Sequence, residues 1–73
     1  MNSKQLFQDF VLRLNRVDRD EAEAIGYVVF ESLFGLSRTD VLAAKEITAS
    51  PHEERISGII ARVNRDEPIQ YIL

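Results

Sequence analysis

The 73 residues contain one histidine and no cysteine, which narrows at once the chemistry that side chains can supply. His52 sits between Pro51 and the pair Glu53-Glu54. A single imidazole flanked by acids lacks the remaining ligands of a zinc site, so a solvated ring in the first turn of a helix is expected there. Without cysteine there are no disulfides and no thiolate ligands, and packing alone must hold the chain together. The acidic run Asp18, Asp20, Glu21, Glu23 lacks the glycine and the spaced oxygen ligands of a calcium loop. It reads as a capped helix start. Gly26 and Gly58 are isolated and form no phosphate cradle; a close helix crossing is the ordinary reason for each. Phe7, Phe10, Tyr27, Phe30 and Phe34 fall at helical spacing, which makes them core rather than a base-stacking platform. No nucleophile with its base and no opposed pair of carboxylates is visible, so the chain is read as non-catalytic.

One group stands apart. Arg62, Arg65, Glu67, Pro68, Gln70 and Tyr71 gather charge, a rigid turn and an amphipathic ring within ten residues. They could be a helix end whose arginines complement the negative pole. They could equally form a hinge or docking edge against a following domain.

The elements that would position these residues are helical. Leu6, Phe7, Phe10, Val11, Leu14 and Val17 recur at helical steps and predict an amphipathic helix from Lys4 to Arg16. Asp18 with Glu21 is a capping-box pattern that opens a second helix. Its apolar set, Ala22, Ile25, Val28, Val29, Phe30, Leu33 and Phe34, is too wide for one stripe, so this is expected to be the central helix. Gly35 follows as a left-handed terminator. Ser37 and Asp40 repeat the capping signal for a short third helix carrying Val41, Leu42 and Ala44, which Thr48 and Ser50 end. Ser50, Pro51, Glu53 and Glu54 combine a cap, a preset backbone angle and acids at the positive pole, giving the strongest helix start in the chain. Ile56, Ile59, Ile60 and Val63 mark the buried face of that helix; Arg55, Arg62 and Arg65 lie away from it. Pro68 disfavours helical geometry at Glu67, so the helix ends near Arg65 or Asp66. The apolar segment Ile69 to Leu73 then stops without a polar cap and is read as cut rather than finished. The expectation is one all-α domain over residues 1–73, a small four- or five-helix bundle.

Hydrophobic residues at 45% and charged residues at 29% are the balance of a folded chain. Interspersed polar residues at the start exclude a signal peptide or a membrane span, which predicts a cytoplasmic protein with no membrane partner. A net charge of -3 argues against direct nucleic-acid binding through phosphates.

The stretch Arg62-Val-Asn-Arg-Asp-Glu67-Pro68-Ile-Gln-Tyr71-Ile72 resembles a segment of the HemK/PrmC family, the release factor glutamine methyltransferases. There an arginine, then Gly-Glu-Pro, then Tyr-Ile lead toward the methyltransferase domain. Glu21-Ala-Glu-Ala and Leu33-Phe34-Gly35-Leu36-Ser37-Arg38 are similar to the acid-and-alanine helix start and the Leu-Gly-hydrophobic-Ser-Arg turn of the same family. The resemblance covers most of the chain after Asp18. It does not extend to Asp66, where the family usually has glycine, or to Val63, where a second arginine is common. The catalytic Asn-Pro-Pro-Tyr signature and the glycine-rich cofactor loop are absent, as expected of a first domain with the methyltransferase domain following.

That resemblance implies a parent enzyme that transfers a methyl group from S-adenosylmethionine to the glutamine of the Gly-Gly-Gln motif in peptide chain release factors. Within it, the helical domain engages the release factor and takes no part in methyl transfer. The expected partners are thus a release factor and the enzyme's own methyltransferase domain, with no cofactor held by residues 1–73. A freestanding helical adaptor that binds a partner helix is the alternative.

Overall fold

A computed structural model of the chain describes residues 2–47 and 50–73. In chain order it contains α1 (Ser3–Arg13), α2 (Arg19–Phe34), α3 (Arg38–Leu42), a 3-10 turn (Ser50–His52), α4 (Glu53–Val63) and a second 3-10 turn (Ile69–Tyr71). The expected all-α bundle is what the chain forms, with four α-helices and no strand among the described residues. A single antiparallel bridge joins Asn2 to Glu46.

Each helix starts for a local reason. Asn2 Oδ1 accepts the Gln5 amide at 2.9 Å, so α1 begins one residue before the expected Lys4. Asp18 Oδ1 accepts the Glu21 amide at 2.8 Å at the head of α2. Only that half of the expected capping box forms; the Glu21 side chain does not return a bond to the Asp18 amide. The full box occurs at α3: the Asp40 amide donates to Ser37 Oγ and the Ser37 amide to Asp40 Oδ2, both at 3.1 Å. Gly35 closes α2 at φ 66°, the left-handed angle that a side chain makes costly. Thr48, one of the residues read as ending α3, lies outside the described residues.

Three expectations need correcting. First, α1 ends at Arg13 and not Arg16. The Asn64 side chain, 51 positions from Arg13, donates to the Arg13 carbonyl and accepts the Asn15 amide, both at 3.0 Å. With its terminal groups satisfied from outside, the chain can leave the helix early. Second, the Ser50-Pro51 start is a 3-10 turn, and α4 proper begins at Glu53 with His52 at the capping position and no side-chain cap. Third, the His52 ring is half-buried and meets Phe34 edge-on at 4.8 Å rather than standing in solvent. The ring that could have capped the helix packs instead.

The core is an aromatic chain wrapped in aliphatics. Phe7 stacks on Tyr27 at 4.5 Å and meets Phe30 edge-on at 5.5 Å; Phe30 also meets Phe10 at 6.0 Å and Phe34 at 5.3 Å. Gly26 permits the α1–α2 crossing, because a Cβ there would stand 2.6 Å from the Phe7 ring. Gly58, expected to serve another crossing, faces open space instead. Ile56, Ile59, Ile60 and Val63 of α4 complete the core. Val29 and Phe30 of α2 have no exposed surface, yet it is α1 that packs against both α2 and α3. Val28 is 49% exposed and lies outside the core.

A buried serine ties the two ends of this arrangement. Ser3 is fully buried; its hydroxyl lies 3.2 Å from the carbonyls of Asp40 and Val41, and its amide donates to the Lys45 carbonyl at 2.7 Å. These bonds fix the start of α1 on the end of α3.

Candidate docking surface at the end of the last helix

After Val63 the chain turns through residues 64–67. The Glu67 amide donates to the Arg62 carbonyl and the Asp66 amide to the Val63 carbonyl, at 3.1 and 2.9 Å. This nested pair of bonds is a Schellman motif, which needs a left-handed residue at its penultimate position. Asp66 supplies it at φ 67°. Asp tolerates this region better than most side chains, and its carboxylate also meets Arg16 at 2.8 Å. The turn that glycine usually makes is therefore made here by aspartate with an ion pair to the α1–α2 loop.

Arg62 and Glu67 engage each other across the same turn. Arg62 Nε and one terminal guanidinium nitrogen both donate to Glu67 Oε1, at 3.1 and 3.0 Å. These bonds hold the Glu67 carboxyl below its ordinary range, the Arg62 hydrogen bond being the main cause and some desolvation opposing it. Two of the Arg62 guanidinium nitrogens are therefore engaged within the chain.

The remaining four residues face outward. Arg65 is exposed and lays Nε against the Ala61 carbonyl of its own helix at 3.3 Å. Pro68 and Gln70 are exposed, and Tyr71 is 75% exposed on the final 3-10 turn. Ile69 and Ile72 alternate with them and pack against the core. The segment is thus seated by two isoleucines while presenting a tyrosine and a glutamine. A cleft of about 430 Å³ opens beside it, lined by Arg16, Glu21, Ile25, Asp66, Pro68 and Gln70 among others.

All six expected residues fall on this one turn and its flanks, in two roles: Arg62 and Glu67 brace it, while Arg65, Pro68, Gln70 and Tyr71 are presented by it. Sequence reasoning missed the two residues that tie this turn to the end of α1 and the loop after it. Asn64 and Arg16 make their bonds across about fifty positions, and no local pattern marks them. The arrangement offers donors, a ring and a groove, which can bind a surface. Among the described residues no three His, Asp or Glu side chains converge as a metal ion would need.

Compared with known families, residues 5–73 match the model described as the PrmC N-terminal domain. Comparison with curated proteins and with solved structures finds no match.

Proposed function

The chain belongs to the PrmC N-terminal domain family, and from that premise we propose that it is the substrate-engaging domain of an S-adenosylmethionine-dependent protein-glutamine methyltransferase. The enzyme's substrate on this reading is the Gly-Gly-Gln glutamine of a peptide chain release factor. The methyltransferase domain follows this one, and both act in the cytoplasm. The family match across residues 5–73 carries the reading. The exposed Arg65, Gln70 and Tyr71 beside a cleft support a docking role.

In this role Arg65, Gln70 and Tyr71 contact the following domain or the release factor, while Arg62 and Glu67 keep the turn in shape. An exposed tyrosine and an exposed arginine suit such a contact, since both residue types are enriched in interfaces and among the residues that carry most of the binding energy. Interface groups of this kind act on encounter and register more than on the chemical step. In the full-length enzyme the double substitution Arg65→Glu with Tyr71→Ala should therefore raise KM for the release factor and leave kcat and cofactor affinity unchanged. Wild-type kinetics in a folded double variant would remove the surface from the mechanism. Titrating S-adenosylmethionine into residues 1–73 alone should give no heat of binding; a saturable micromolar signal would overturn the division of labour.

A further inference from the structure

Lys4, Gln8 and Leu12 on α1, and Arg19, Glu23 and Tyr27 on α2, recur at every fourth residue and form a ridge along each helix. Leu12 lies with Arg19 at one end and Phe7 stacks on Tyr27 toward the other, so the ridges run antiparallel. Between them is a groove of about 380 Å³ with Phe7 and Val11 beneath, and α3 adds Val41 and Leu42 to its wall. Leu12 and Leu42 are 75% and 59% exposed. Among the described residues nothing covers this apolar surface.

The charges beside the groove have one dominant sign. Lys4 and Arg19 line it, and the Arg38 guanidinium sits 4.5 Å above the Tyr27 ring. Among the described residues Glu23 is the one carboxylate in the lining, and it is bound to Arg19 at 3.3 Å. The groove is thus positive on a chain whose net charge is -3.

We propose that this groove docks an amphipathic helix of a partner protein whose apolar stripe is bordered by Asp and Glu. Each ridge spans nine residues, about 12 Å or two helical turns from end to end. A third helix laid between two antiparallel ones can insert apolar residues spaced three and four apart, the helix-in-groove mode. Its acidic borders would meet Lys4, Arg19 and Arg38, whereas a basic helix would be repelled. A flat lipid surface cannot reach Phe7 and Val11 between the ridges. The groove shares no lining residue with the cleft at the C-terminal turn. On α2 the residues of the two sites, Arg19 and Glu23 against Glu21 and Ile25, are about 200° apart around the axis. Both can therefore be occupied at once. The proposal goes beyond the function given above, since it requires neither a following domain nor a release factor.

Fluorescence anisotropy with two labelled helical peptides of about sixteen residues tests it; both carry leucines three and four apart, bordered by glutamates in one and lysines in the other. The glutamate peptide should bind saturably in the micromolar range, and the lysine peptide at least about tenfold more weakly. Leu12→Glu should weaken the glutamate peptide about tenfold, with an unchanged melting temperature because Leu12 is exposed. Lys4→Glu with Arg19→Glu should shift preference toward the lysine peptide, and Tyr71→Ala should change nothing. Absence of saturable binding, equal affinity for both peptides, or loss through Tyr71→Ala instead of Leu12→Glu would overturn it. So would light scattering that shows the groove filled by a second copy of the chain.

Discussion

The α1–α2 face and the C-terminal turn both present surface, but they are built in opposite ways. On the α1–α2 face the backbone is satisfied within helices, and the exposed groups are apolar side chains, Leu12 and Leu42. At the turn the backbone leaves helix geometry and several polar side chains brace it, Arg62 with Glu67, Arg16 with Asp66, Asn64 with Arg13 and Asn15, while Gln70 and Tyr71 stand exposed beyond it. Regular structure leaves its side chains free for a partner, whereas a turn must use some of its polar side chains to hold its own shape before it can present the rest. Substitutions should therefore affect stability little on the apolar face and more at the turns and the crossing.

The largest expected effect lies beneath the apolar face. Phe30 is fully buried and touches three other rings. Phe30→Ala should cost about 3 to 5 kcal/mol, against a total of roughly 4 to 11 kcal/mol for a domain of this length. Chemical denaturation should find its midpoint far below that of the unsubstituted chain. A loss no greater than that from Leu12→Ala would mean that the aromatic chain is not the core.

The two helical glycines sharpen the contrast. Gly26→Ala drives a methyl into the Phe7 ring at 2.6 Å and should destabilise by about 1 to 3 kcal/mol. Gly58→Ala meets open space and should stabilise by about 0.5 to 1 kcal/mol, because alanine loses less backbone freedom in a helix. Melting temperatures that move in the same direction for both would contradict the crossing.

Next come the left-handed positions. Ala44 holds a left-handed φ of 54° after α3, where its Cβ is costly, so Ala44→Gly should stabilise by about 1 kcal/mol. Asp66→Gly relieves the same backbone cost but gives up the exposed Arg16 pair, so its net effect should be the smaller gain. If Asp66→Gly stabilises as much as Ala44→Gly, the Arg16 contact contributes nothing.

The smallest effect is electrostatic. The Lys45 ammonium at 2.7 Å and the Ser37 cap hold the Asp40 carboxyl at about 2, down from 3.8. A carboxyl whose folded-state pKa is depressed favours folding above its unfolded value and loses that contribution as pH falls. For Asp40 the window is about pH 4 down to about 2. Acid unfolding of Asp40→Asn should accordingly have a shallower slope within that window and the wild-type slope above it. Identical acid profiles for the two proteins would show that the capping box and the Lys45 contact do not couple to folding.

What the sequence by itself determined is what short-range geometry determines. Helical spacing placed Phe7, Phe10, Ile25, Phe30, Ile56, Ile59, Ile60 and Val63 in the core, because residues three and four apart share a helix face wherever the helix later lies. The caps at Asp18 and at Ser37 with Asp40 were legible because donor and acceptor are three positions apart. The stop at Gly35 was legible because only backbone angle is at issue.

Only the tertiary structure decided how the residues of the C-terminal turn divide their work. Whether Arg62 reaches outward or back to Glu67 depends on a left-handed Asp66, and that turn is braced by Arg16 and Asn64 across about fifty positions. Likewise, Ser3 is buried by carbonyls that lie 37 and 38 positions away. The openness of Gly58 and the packing of His52 on Phe34 depend on which helix lies opposite. Such contacts are chosen by how the apolar faces pack together, and a pattern that repeats every few residues carries no record of that choice.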